Sequence, residues 1–232
     1  MMDKLIEIVI KKENWQKVAL AVGDSNPIHY LENDAVSPGI YLFSEVEKIA
    51  REDGRFHPPL NIKGRFFDLV YDKDVLILNK NYLENKFIFT YSRNGDKIAE
   101  FEFEKISERK ENYVFTGNLE EVKEIVESEL CSFNDALRLA DNKIVYSAFT
   151  VGRILEKFLA GREGSLLHNI EFNHYKDPVL GGLFVKLEVN KEIRKRGRKE
   201  ITDFFIRGEA IQFNETVGVG FGKAQYKMVR RE

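Results

Sequence analysis

Helical stripes and two-residue alternation succeed one another along the chain in a definite order. KLIEIVIKK (residues 4–12) is short, branched and apolar, the character of a strand. ENWQKVALAV (13–22) places Trp15, Val18, Ala19 and Val22 at helical spacing. An irregular stretch, GDSNPIH (23–29), follows. SPGIYLFSEVEKIARE (37–52) then carries Leu42, Phe43, Val46, Ile49 and Ala50 at three- and four-residue intervals, which predicts a buried helix. Ser37 is placed to cap it, with Pro38 in the first turn and Gly39 just inside. From about residue 60 to 105 the period falls to two. Phe87, Phe89 and Tyr91 alternate with Ile88, Thr90 and Ser92, and Phe101 and Phe103 with glutamates, as in strands. Asn94-Gly95 between them signals a hairpin.

The second half repeats this order. NYVFTG (112–117) reads as a strand, EEVKEIVESEL (120–130) as a helix, and SAFTVGRILEKFLAG (147–161) as a second buried helix. LFVKLEV, ITDFFIR and VGVGFGKAQY read as strands, and in the last Gly218 and Gly220 leave one face bare enough for a helix to lie across it. A shift of 108 positions without gaps takes Asn26 to Asn134, Ile40 to Ala148, Tyr41 to Phe149 and Ile62 to Ile170. Two similar halves, 1–108 and 109–232, are expected, with central helices near 39–52 and 147–160 packed as a pseudo-dimer. The same shift turns Asp24 into Ser132 and His29 into Leu137, so one ionisable pair, in the first half, is expected.

Composition narrows the partners. The 232 residues carry a net charge of −2, which gives no electrostatic case for nucleic acid or an anionic membrane. The single cysteine, Cys131, excludes an internal disulfide and reads as a small buried residue. The N-terminal sequence lacks a signal-peptide core, and no apolar run approaches membrane-spanning length, which predicts a cytoplasmic protein. His57, His168 and His174 lack metal-ligand spacing and read as structural; no metal is expected. EIRKRGRKE (192–200) is the dense basic run. It reads as a hairpin tip, solvated or in contact with phosphates or an acidic partner.

The GDSNPIH turn carries the candidate chemistry. Asp24 and His29 stand five residues apart on a stretch broken by Gly23 and Pro27, which can bring both side chains to one side; a straight strand would oppose them. Taken singly, Asp24 and Asn26 also read as a turn-forming pair and His29 as a core histidine; taken together, an acid and an imidazole can serve as base and acid to one water. Gly-Asp-x-Asn-Pro-x-His resembles the signature of the MaoC-like dehydratases and (R)-specific enoyl-CoA hydratases, and IEIVIKKENWQKVALAVGDSNPIH and VSPGIYLFSEVEKI resemble that family's opening strand, short helix, catalytic turn and central helix. The likeness covers roughly residues 4–105 and, more faintly, the remainder.

What the resemblance implies is an α+β double hot-dog, two antiparallel sheets each wrapped around a central helix. It implies a lyase of fatty acid metabolism interconverting trans-2-enoyl and (3R)-3-hydroxyacyl thioesters of CoA or acyl-carrier protein, without metal or redox cofactor. Asp24 and His29 would be catalytic, Gly39 would present a helix N-terminal N–H to the carbonyl oxygen, and Asn26 would hold the turn, the water or the substrate. Only ten steps separate His29 from Gly39, about half the family's usual interval, and Pro38 stands where the family usually has histidine. A hot-dog thioesterase and a non-catalytic acyl-thioester binding subunit are the alternatives, and a homodimer of double hot-dogs is a further expectation.

Overall fold

In this computed structural model residues 5–52, 54, 56–107, 119–138, 147–159, 164–196 and 199–229 are described. The first half runs β1 (Ile6–Val9), α1 (Lys12–Val22), a 3-10 turn (Pro27–His29), α2 (Gly39–Glu52), β2 (Leu60–Phe66), β3 (Val75–Leu83), β4 (Lys86–Arg93) and β5 (Asp96–Lys105). The second runs β6 (Leu119–Ile125), α3 (Glu127–Leu137), α4 (Ser147–Leu159), β7 (Leu166–His174), β8 (Gly181–Arg196), β9 (Lys199–Gln212) and β10 (Glu215–Val229). The boundary at 108/109, the strand expected over 112–117 and the tip glycine Gly197 lie outside the described residues.

The described strands form one antiparallel sheet in the order β1-β3-β4-β5-β2-β7-β10-β9-β8-β6. Read outward from its middle, each half lays down the same sequence of strands. β2 and β7 make the seam, Leu60 opposite His174 through Arg65 opposite Asn169. There the Asn61 side-chain amide donates to Asn173 Oδ1 at 2.8 Å and to Glu171 Oε1 at 3.2 Å. Asn94 and Gly95, both at positive φ, turn the β4–β5 hairpin as its Asn-Gly pair demands.

Each central helix buries its apolar stripe against its own strands and against the other helix. Phe43 of α2 is fully buried and stacks on Phe101 of β5, centroids 5.9 Å apart. In α4, Phe149 meets Phe133 edge-on at 5.4 Å, and Ile154 lies over Gly208, where an added Cβ would come within 2.6 Å of it.

Five expectations change. The stretch expected as helix over 120–130 is strand to Ile125 and helix from Glu127: pairing of β6 with β8 outweighs the helical preference of its glutamates. Ser37 does not cap α2. Its N–H is drawn to Val70 O at 2.7 Å beside the Val36–Tyr71 bridge, and its hydroxyl is buried without a hydrogen-bond partner. The bare face of Gly218 and Gly220 receives the Phe172 ring of neighbouring β7 instead of a helix. Cys131 is only partly buried, on α3.

The fifth concerns the repeat. α1 and α3 each close on a left-handed residue, Gly23 at φ 78° and Arg138 at φ 55°, which sets this pair of helices 115 positions apart. Gly39 and Ser147, which open α2 and α4, are 108 apart. The connection between the two helices is therefore 23–38 in the first half and 138–146 in the second, sixteen residues against nine. Ser132 and Leu137 lie within α3, whereas Asp24 and His29 follow α1, so the two pairs are not counterparts; residues 139–146 lie outside the described residues.

Candidate active site

Asp24 takes its place from the end of α1. Gly23 closes the helix with a left-handed turn, its N–H on Leu20 O at 3.1 Å, and the Asp24 N–H on Ala19 O at 2.8 Å. Glycine is needed here twice over, since a Cβ would also strike the Glu156 carboxylate arriving from α4. Asn26 then caps the 3-10 turn that Pro27 opens and His29 ends. The backbone on both sides is pinned: Tyr30 OH donates to Asp24 O at 2.6 Å, and Gln16 Nε2 to His29 O at 3.3 Å. Burial, with the nearby Asp24 charge, raises the Tyr30 pKa to about 12, so it stays a donor.

The two ionisable side chains meet. Asp24 Oδ2 lies 3.4 Å from His29 Nε2, with Asp24 8% and His29 5% exposed. Asp24 Oδ1 is occupied, accepting from the Asn26 N–H at 3.0 Å. His29 Nδ1 lies 2.6 Å from Val36 O, and since a carbonyl can only accept, Nδ1 carries the proton. In the neutral ring Nε2 therefore presents its lone pair toward Asp24.

Both groups open on a cavity of about 520 Å³ that the two halves build together. The start of α2, from Ser37 to Ile40, forms one side; Leu155, Phe158 and the 164–168 segment of the second half form another. First-turn N–H groups such as those of Gly39 and Ile40 have no carbonyl four residues back to bond. A Cβ on Gly39 would come within 2.7 Å of the Phe66 ring, so the close fit at this helix end depends on the glycine.

Asn26 lines the same cavity with its amide already committed. Oδ1 accepts from the Gly164 N–H at 3.0 Å, and Nδ2 donates to Ser165 O at 2.9 Å. It joins the halves at the cavity rim. Sequence reasoning missed Ser165, Leu155 and the cavity-facing role of His168. Nothing in their local pattern marks them, because they reach the cavity only through the packing of one half on the other. Ser37 and Ser165 both line the cavity, and their hydroxyls are buried without a hydrogen-bond partner. His174 is buried on Asp177 at 2.8 Å and His57 is exposed, both away from the cavity. No metal-ligating cluster occurs among the described residues, and none of their helices is long and apolar enough to cross a membrane.

No protein-family model matches this chain, and no curated protein matches it in sequence. Solved structures do. A MaoC-like dehydratase superposes with a TM-score of 0.62 at 11% identity, covering 99% of this chain and 98% of its own. A conserved hypothetical protein from Mycobacterium tuberculosis with a double hot-dog fold gives 0.65 at 10% identity, covering 97% of each chain. The 12:0-ACP thioesterase from Umbellularia californica gives 0.60 at 8% identity, covering 98% of each. With the mirrored strand order and the paired central helices, this likeness identifies the chain as a double hot-dog protein.

Proposed function

We propose that this protein is an acyl-thioester hydratase/dehydratase, interconverting trans-2-enoyl and (3R)-3-hydroxyacyl thioesters of CoA or acyl-carrier protein. One observation carries the reading: Asp24 and His29 meet at 3.4 Å on a largely apolar cavity that also holds the N-terminus of α2. The dehydratase among its structural neighbours supports it, as does the sequence resemblance.

In the hydration direction the Asp24–His29 pair takes a proton from water as the water oxygen bonds to C3, and returns a proton to C2. His29 Nε2 is ready for the first transfer because Val36 O holds the ring proton on Nδ1. The electron pair leaving the C2–C3 double bond collects on the thioester oxygen. The Gly39 and Ile40 N–H groups, at the positive end of α2, stabilise that charge. Water is the only co-reactant and the addition is redox-neutral, so no redox cofactor enters. The pantetheine arm would leave through the cavity mouth toward its carrier.

The test is hydration of a short enoyl-CoA by wild type and by Asp24→Asn, His29→Ala and the double variant, each checked for fold by circular dichroism. Each single variant should lose roughly 10²–10⁴-fold in turnover. The double variant should lose little more, since both groups serve one water. Wild-type rates in either single variant would overturn the assignment. A second reading, a thioesterase in which the pair directs water at the carbonyl, draws on the likeness to the 12:0-ACP thioesterase. Release of free thiol from the same substrate would favour it.

A further inference from the structure

Glu47 of α2 is fully buried and points into the other half. Its Oε1 accepts from the Ser147 N–H at 2.7 Å and from Arg51 Nε at 3.0 Å, and its Oε2 accepts from the Ala148 N–H at 2.8 Å. Ser147 and Ala148 open α4 as Gly39 and Ile40 open α2. A carboxylate from the first half thus sits on the free N–H groups of the second central helix, where the positive helix end favours an anion. Arg51 braces it and is itself held by a two-bond contact with Asp177, at 2.9 and 2.6 Å.

The same position in the second half is apolar. Glu47 stands eight residues after Gly39, and Leu155 stands eight after Ser147. The two helices pack on each other, and Leu155 lines the candidate cavity together with Gly39 and Ile40. Ser37, just before that same helix end, also lines the cavity, and its own hydroxyl is buried without a hydrogen-bond partner. One helix end is therefore filled by the chain's own carboxylate, while at the other a hydrocarbon side chain leaves the donors to the cavity.

We propose that Glu47 is a built-in ligand that closes the anion-binding helix end of the second half, and that Leu155 is the wall residue that keeps the equivalent end of the first half open to an acyl carbonyl oxygen. The Leu155 part rests on the acyl-thioester reading; the Glu47 part does not.

Thermal melts test Glu47 without any assay of turnover. Glu47→Ala should melt lower by roughly 6–20 °C, as expected for breaking a buried charged contact in a chain of this size. Formate at about ten times its dissociation constant, compared with chloride at equal ionic strength, should restore roughly 3 °C or more by filling the vacated site. Wild type and the isosteric Glu47→Gln, whose sites stay filled, should not respond to formate. Should Glu47→Ala be recovered only by refolding, its yield in formate against chloride makes the same comparison. Equal behaviour in the two salts overturns the Glu47 assignment.

For Leu155, titration with a short acyl-CoA should show roughly hundredfold weaker binding by Leu155→Glu, whose carboxylate claims the α2 donors, and near wild-type binding by Leu155→Met. Wild-type affinity in Leu155→Glu overturns that assignment. A wild type that binds no acyl thioester sinks the functional reading and the Leu155 role with it, and leaves the formate comparison to decide Glu47 alone.

Discussion

Replacing Asn26 by alanine asks whether one buried amide ties the two halves together at the rim of the cavity. Asn26 is 1% exposed, and its two strongest side-chain bonds both reach the second half, to the Gly164 N–H and the Ser165 carbonyl. Alanine abandons both. A buried polar group left without its partner costs about 1–3 kcal/mol. Gly164 is only partly buried and regains some of this from water, so the pair should cost about 2–4 kcal/mol together. At about 2–4 °C per kcal/mol for a chain of this length, Tm should fall by roughly 4–16 °C. Trp15 is the single tryptophan and is fully buried, so urea unfolding can be followed by its fluorescence. The midpoint should fall with the slope unchanged, the mark of lost stability without a change of denatured state. Asn26→Asp separates the two bonds, keeping the acceptor for Gly164 while setting an oxygen against the Ser165 carbonyl. It should be no more stable than Asn26→Ala. If the alanine variant lies within about 0.5 kcal/mol of wild type, the scale of an ordinary surface change, the amide is not what joins the halves.

Gly23→Ala should destabilise by about 1–3 kcal/mol, since it forces a left-handed backbone and displaces the Glu156 carboxylate; unchanged melting would contradict the double requirement placed on that glycine. Burial alone would raise the Asp177 carboxyl, but hydrogen bonds from His174 and Arg51 outweigh it and hold the carboxyl well below its ordinary value of 3.8. A depressed folded-state value means that stability is full above about pH 5 and declines as pH falls through 3.8 toward the folded value. Asp177→Asn should flatten that acid limb in urea titrations from pH 7 to pH 3, and an unaltered slope would show that the carboxylate does not drive it. Ser165→Ala removes a buried hydroxyl with no partner in the protein and should leave Tm equal or slightly higher; a loss above about 1 kcal/mol would reveal a bond that the structure does not contain.

Local signals carried far here because several elements are decided by their own residues. The α2 stripe, the Asn94-Gly95 turn and the alternation in β4 and β5 are each enforced within a few positions, and each appears in the structure where the pattern placed it. The Asp24–His29 pairing was legible for the same reason, since one glycine, one proline and a five-residue span confine it. Elements fixed by distant partners were not. Val122 and Ile125 are spaced as on a helix, yet β6 is a strand because β8 offers it a ladder. An ungapped comparison could not see that nine positions separate α3 from α4 against sixteen between α1 and α2, because α1 and α3 keep the same length of eleven residues while the interval after them changes. Leu155, Ser165 and the Glu47 contact depend on packing between halves, across separations of a hundred residues and more, where no local period leaves a trace.

The β2–β7 seam also bears on the order in which the molecule can be made. Asn61 finds Asn173 only 112 positions later, so β2 waits as an open edge while the intervening chain is synthesised. At about 5–20 residues per second that wait is on the order of ten seconds. Lys63 and Arg65 stand on this edge, and positive charge is a common protection against premature strand pairing. Once formed, the seam does not distinguish a strand of its own chain from the identical strand of a neighbour. Crowded nascent chains are therefore expected to exchange second halves, yielding a swapped dimer in which β2 of each copy pairs with β7 of the other, detectable as a slow-forming species of doubled mass.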